Sequence, residues 1–149
     1  MTFKQKTHQY YQQLVQDRED AFRDMITALT EDSKDDAKGS AGDKHETGLS
    51  MMHIEQEKLN RKLREVLDQK IVLDKIDAST TAETIIVGSL VKANGIFLYL
   101  SVALPKITID GINVIALSPQ SPLGNKLMGN KVGFTFEING TKYLIEEIN

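Results

Sequence analysis

Asp43 and Glu46 stand three residues apart at the start of a long helix-forming stretch, and no other pair in the chain has types and spacing that suit chemistry as well. Positions i and i+3 share one face of a helix, so the two carboxylates can project together. Such a pair can hold a hard divalent cation such as Mg²⁺. It holds it weakly, because one or two carboxylates need oxygen ligands from a partner or from phosphates to complete the shell. The pair closes an acidic run in which Glu31, Asp32, Asp35, Asp36, Asp43 and Glu46 face only Lys34, Lys38 and Lys44. On charge alone the run also reads as a solvated loop whose acids complement the dipole of the helix that follows. Other groups offer less. His45 and His53 lack a third ligand at metal spacing. Lys58, Arg61, Lys62 and Arg64 form a basic stretch, interleaved with Glu55, Glu57 and Glu65 as on an ordinary ion-paired helix face. No Gly-rich phosphate loop is present.

The elements that must position the pair can be read from composition. All four Arg precede residue 70, and up to Asp68 the chain is rich in Gln, Glu, Lys, Leu and Met with no Pro. Tyr11, Val15, Arg18, Phe22, Met25 and Leu29 recur at steps of four and three. Leu49, Met52, Gln56, Leu59, Leu63 and Val66 repeat that rhythm. Two matching seams around a polar break, Ser33 to Gly42, predict an antiparallel helical hairpin over 1–74 with its acidic tip at the break. From Ile71 onward β-branched residues and turn signals take over. Asn94-Gly95, Asp110-Gly111 and Asn139-Gly140 each suit a two-residue hairpin turn. They predict pairing of Thr84–Ala93 with Gly95–Ser101, Lys106–Ile109 with Ile112–Leu117, and Val132–Ile138 with Thr141–Ile148. Ser121 and Pro122 start a short helix that Gly129 closes. The fold class is therefore α+β: a coiled-coil hairpin, then an antiparallel sheet domain with one short helix over 75–149.

Two stretches carry a family resemblance. Gly42-Asp43-Lys44-His45-Glu46-Thr47-Gly48, leading into a long helix, resembles the tip of the bacterial Gre transcript-cleavage factors, with its acidic pair in a G-D-x-x-E context. The tail from Ser121 to Ile148, SPLGNKLMGNKVGFTFEINGTKYLIEEI, is similar to the SP-x-G-x-A-L-x-G-K-x-x-G-D signature and closing hairpin of the GreA/GreB C-terminal domain. Order of parts and length agree as well. The resemblance implies an FK506-binding-protein-like (FKBP-like) C-terminal domain that binds RNA polymerase. It implies a coiled coil inserted in the polymerase secondary channel and an acidic pair, here Asp43 and Glu46, that helps hold a Mg²⁺ of the polymerase. The nascent RNA 3′ end would then be cleaved by the polymerase, with the factor catalysing nothing alone and keeping no cofactor of its own.

Three rivals follow from the same residues. One is a channel-binding modulator of transcription without cleavage activity, since the tip departs from the family's G-D-L-K-E-N-A-E-Y. Another is a peptidyl-prolyl isomerase, from the fold implied for the C-terminal domain, although no Trp and no evident aromatic-lined pocket support it. The third is a purely structural coiled-coil adaptor, supported only by the hairpin. A net charge of −3 argues against a general nucleic-acid binder, and the absence of Cys removes disulfide scaffolds and thiolate zinc sites. A polar N-terminus and the lack of a long apolar run point to a soluble, cytoplasmic protein without membrane contact.

Overall fold

The computed structural model describes the backbone of residues 1–39 and 43–149 and the side chains of residues 1–32 and 48–149. Two long helices, α1 (Phe3–Gly39) and α2 (Asp43–Asp74), precede strands β1 (Leu90–Ala93), β2 (Ile96–Leu100), β3 (Leu104–Ile109) and β4 (Ile112–Leu117). A short helix α3 (Pro122–Leu127) and strands β5 (Thr135–Ile138) and β6 (Thr141–Ile148) complete the chain. The α+β class is as the sequence predicts. Contacts group residues 13–70 into one unit, and residues 1–12 with 71–149 into another.

In the first unit α1 and α2 pair antiparallel. Glu19 meets Lys70 at 3.2 Å, and farther along Thr30 meets Gln56 at 3.3 Å, so the partner index falls as the first index rises. The seam predicted for α2 is buried or half-buried at each position, with Leu59 and Val66 nearly closed off from water. On α1 the seam is shifted by one residue in two turns. Glu19 is buried where Arg18 was expected, and Ile26 is half-buried where Met25 was expected, Met25 being exposed. Steps of three and four are interchangeable within a period of 3.6, and Glu19 can take the inner position because Arg23 (2.8 Å) and Lys70 reach its carboxylate. Hydrogen bonds from Arg23 and Lys70 hold that carboxyl below the usual range. The expected break at Ser33–Gly42 is mostly helix, since α1 runs to Gly39. No Pro stops it, and the small propensity penalties of Ser and Asp do not end a helix already propagating.

In the second unit the strands form one sheet in the order β3-β4-β2-β1-β6-β5. Every neighbouring pair is antiparallel except β2 and β4, which run parallel because β3 lies between them in sequence and occupies the edge. The three turn signals hold: Asn94, Asp110 and Asn139 have φ near 50°, each followed by a Gly at positive φ, as type I′ turns demand. Three strands are shorter than predicted, β2 by one residue at each end and β1 and β5 by more. Residues 84–89 leave the sheet, and Ile85 exchanges hydrogen bonds with Asn130 (2.9 Å) and Gly129 (2.8 Å) beyond α3. Residues 132–134 likewise precede β5.

Alternation along the strands gives the sheet two buried faces. On one, Val91, Ala93, Leu98, Leu100, Leu117 and Ile145 close around Leu127 of α3. On the other lies Tyr99, fully buried against the first turns of α1. Tyr11 stacks on it with ring centroids 6.1 Å apart and donates its hydroxyl to Pro105 O at 2.9 Å. His8 Nδ1 lies 2.7 Å from Tyr99 Oη. Phe3 packs edge-on against Phe97 at 5.4 Å, and Lys4 Nζ donates to Thr80 O at 2.6 Å. Thr2 and Gln5 cap the start of α1 reciprocally, as a capping box does.

Burial holds His8 below the ordinary histidine pKa, with the Asp74 carboxylate opposing and the Lys4 ammonium assisting. Burial also pushes Tyr11 up to about 12 and raises Tyr99 further, so both hydroxyls stay protonated. A histidine whose pKa is lowered on folding contributes its stability in full above the unfolded value of about 6.5 and loses it as pH falls toward the folded value. Urea unfolding between pH 7.5 and 5 should therefore show a decline in stability that is smaller in His8→Gln.

Candidate functional site

Asp43 is the first residue of α2 and Glu46 lies in its first turn. Their backbone is helical, so the i, i+3 relation expected from sequence holds. The side chains of Asp43 and Glu46 lie outside the described residues, as do those of His45 and of the acidic run from residue 33. What the fold does fix is where the pair falls along the hairpin. The contacts Glu19–Lys70 and Thr30–Gln56 advance toward the end where α1 leads on to α2, so Asp43 opens the second helix at that closed end of the pair. Unpaired N–H groups and the positive end of the dipole favour negative charge in the first turn of a helix. Two carboxylates there can share a cation whose remaining ligands come from elsewhere.

Residues flanking this end are solvent-facing. Glu31, Asp32, His53, Lys58, Arg61, Lys62 and Arg64 are all exposed, as are Glu55, Glu57 and Glu65. Among the described residues, no three His, Cys, Asp or Glu gather as a metal site would require. His53 thus has no described partner set for zinc.

The tail signature has a local physical basis. Ser118 begins a turn in which the Ser121 hydroxyl donates to Ser118 O at 2.7 Å and accepts from Gly124 N at 3.0 Å, capping α3 with Pro122 in its first turn. Gly124 is buried there, and a Cβ on it would overlap the Ser118 carbonyl, which is backbone and cannot swing aside. Leu127, one turn on, is the residue that α3 inserts into the core. Gly129, at φ 79°, then turns the chain so that its N–H reaches Ile85 O. Each fixed residue of Ser-Pro-x-Gly therefore does one job: cap, helix start, close approach. No family model and no curated protein matches this chain. The Gre likeness therefore rests on the residues of the tip and tail and on the order of elements that carries them.

Some features have no local signal in the sequence. The second unit holds a cleft of about 360 Å³ lined by Phe3, Leu90, Phe97 and Ile112 with Asp110 and Glu147 at its rim. A second cleft, of about 440 Å³, is lined by Lys4, Lys75, Ile86 and Val87 among others. Neither includes Asp43 or Glu46. The first brings two aromatic rings to one pocket, contrary to the expectation that none would be aromatic-lined, because Phe3 and Phe97 are joined only by packing of α1 on the sheet. Among the described helices none is long and apolar enough to cross a membrane.

Replacing Gly124 by Ala should destabilise the second unit by about 2 kcal/mol or more, since overpacking against fixed backbone costs on the order of 1–3 kcal/mol and here also strains the Ser121 cap. Urea denaturation of Gly124→Ala beside Asn125→Ala, an exposed neighbour in the same helix, checks it. Equal midpoints for the two variants would contradict the close approach.

Proposed function

We propose that this protein is a Gre-like transcription factor that enters the secondary channel of bacterial RNA polymerase with its helical hairpin and stimulates cleavage of backtracked RNA. The observation that carries the reading is the position of the acidic pair: Asp43 and Glu46 open α2 at the closed end of two long antiparallel helices, where a partner can reach them. From Gln13 to Gly39 the first arm is about 40 Å long at ~1.5 Å per residue, a reach suited to a deep channel. The Ser121–Ile148 tail supports the same reading, because a capped helix and closing hairpin supply the fold in which the C-terminal signature makes physical sense.

On this reading the division of labour is simple. Asp43 and Glu46 would offer carboxylate oxygens to a metal ion held by the polymerase and accept hydrogen bonds from a water beside it; the metal, when bound, would supply the Lewis-acid chemistry of phosphodiester hydrolysis. The protein has no turnover of its own, and the polymerase supplies the catalytic centre. The sheet domain provides the attachment surface.

A second reading, occupancy of the channel without cleavage, is favoured by the tip sequence. Lys44 stands where the family has Leu, and Thr47-Gly48 follows Glu46 where the family continues Asn-Ala-Glu-Tyr.

RNA release from a stalled, backtracked elongation complex separates the two. The wild type should accelerate release, and Asp43→Ala/Glu46→Ala should lower that acceleration by at least about tenfold, the scale on which losing support at a metal site weakens activity, while polymerase binding persists. Binding without any acceleration by the wild type would establish the modulator instead.

A further inference from the structure

We propose that the ion pair between the buried Glu19 carboxylate and the half-exposed Lys70 is a register lock: it favours one alignment of α1 against α2 and so sets which residues reach the closed end of the hairpin. Glu19 is a carboxylate on the inner face of a two-helix contact, 8% exposed, held by Lys70 at 3.2 Å and Arg23 at 2.8 Å. Val15 and Phe22 lie on either side of it along the α1 seam, and Val66 and Leu73 on either side of Lys70 along α2. An apolar seam alone specifies alignment poorly. Sliding one helix by about three, four or seven residues brings apolar positions opposite apolar positions again.

Glu19 removes that degeneracy. Slips in one direction oppose it to Leu67, Val66 or Leu63; slips of three or four in the other oppose it to Leu73 or Asp74, where α2 ends. Every alternative takes Lys70 away from the Glu19 carboxylate and sets hydrocarbon or another acid opposite it, leaving Arg23 of its own helix as the remaining partner, which is costly for a group only 8% exposed. Lys70 is the one cation that meets it from α2. The same logic underlies single polar residues that fix register in coiled coils. Thr30 and Gln56 form a second, neutral polar contact at 3.3 Å farther along the seam; slips by four or seven would oppose Thr30 to Met52, Leu49, Asn60 or Leu63. Arg23, from the exposed side of α1, neutralises Glu19 without crossing to α2, so it supports the lock but does not choose the register.

Glu19 and Lys70 are thus positioning residues. Their consequence for Asp43 and Glu46 rests on the function proposed above, whereas the lock itself does not. The chain has no Cys, so Asp24→Cys and Ser50→Cys, both at exposed positions and offset from each other along the hairpin axis, would carry the only spin labels. Pulsed electron-electron resonance on the full chain should give one inter-label distance in the otherwise unchanged protein and in Lys70→Arg. In Glu19→Leu/Lys70→Leu the protein should stay folded, and a second population should appear, displaced by one or two helical turns, about 5–10 Å. Glu19→Gln, which keeps the size and removes the charge, should show the same population at lower weight. A single unchanged distance in both variants overturns the lock. Loss of folding in the Leu/Leu variant overturns it too, because the pair would then supply stability in place of selection. In the cleavage assay the Leu/Leu variant should lose several-fold in maximal rate with polymerase affinity retained. Absence of cleavage by the wild type would count against the proposed function and leave the distances to judge the lock.

Discussion

The fold of the sheet-bearing unit turns on one constraint: a six-stranded sheet with apolar side chains on both faces needs a cover on each. The Leu127 side is covered by α3 and the Tyr99 side by the first turns of α1. Tyr99 is the centre of the second contact, stacked by Tyr11 and met at its hydroxyl by His8. A tyrosine can be buried this completely only because its hydroxyl finds a partner, and an unpaired one would cost on the order of 1–3 kcal/mol. The residues that begin and end the helical pair, 1–12 and 71–74, accordingly belong with the strands rather than with the hairpin arms.

The arms face the opposite problem. Two helices pairing alone bury a narrow seam, and few of its side chains are fully shielded: Val15, Leu59 and Val66 are, whereas Phe22, Ile26, Leu29, Met52 and Leu63 are half-exposed. Such a contact offers modest stability, and polar residues inside it weigh heavily on how it aligns. The Glu19 triad is consistent with that balance, since a part-buried ion pair contributes little net stability after desolvation yet penalises arrangements that take a partner from its buried carboxylate. A helical pair that presents residues at its closed end needs its alignment fixed more than it needs a large stability margin.

Local chemistry explains why the tail of the chain was readable. Ser121, Pro122, Gly124 and Gly129 act through hydrogen bonds and steric limits within a few residues of themselves. The three Asx-Gly turns are equally local, and all occur where expected. Misreadings arose where a choice was not local. Arg18 against Glu19, and Met25 against Ile26, are equivalent by periodicity and are settled only by what lies across the seam. The parallel β2–β4 pair depends on β3 taking the edge, which no strand pattern encodes. For Asp43 and Glu46 the spacing alone places both positions on one face of a helix.

By itself, then, the sequence determined the composition switch near residue 70, the two seams, the turns and the cap of α3, because each follows from periodicity or from backbone geometry over a few residues. Tertiary structure alone decided the strand order, the burial of Glu19 opposite Lys70, the union of Phe3 with Phe97 and the pairing of His8 with Tyr99. These contacts join residues tens of positions apart, and they form only when two surfaces must share one interior. Their energies come from what is left unpaired or uncovered in every other arrangement, a quantity that no single segment of the chain contains.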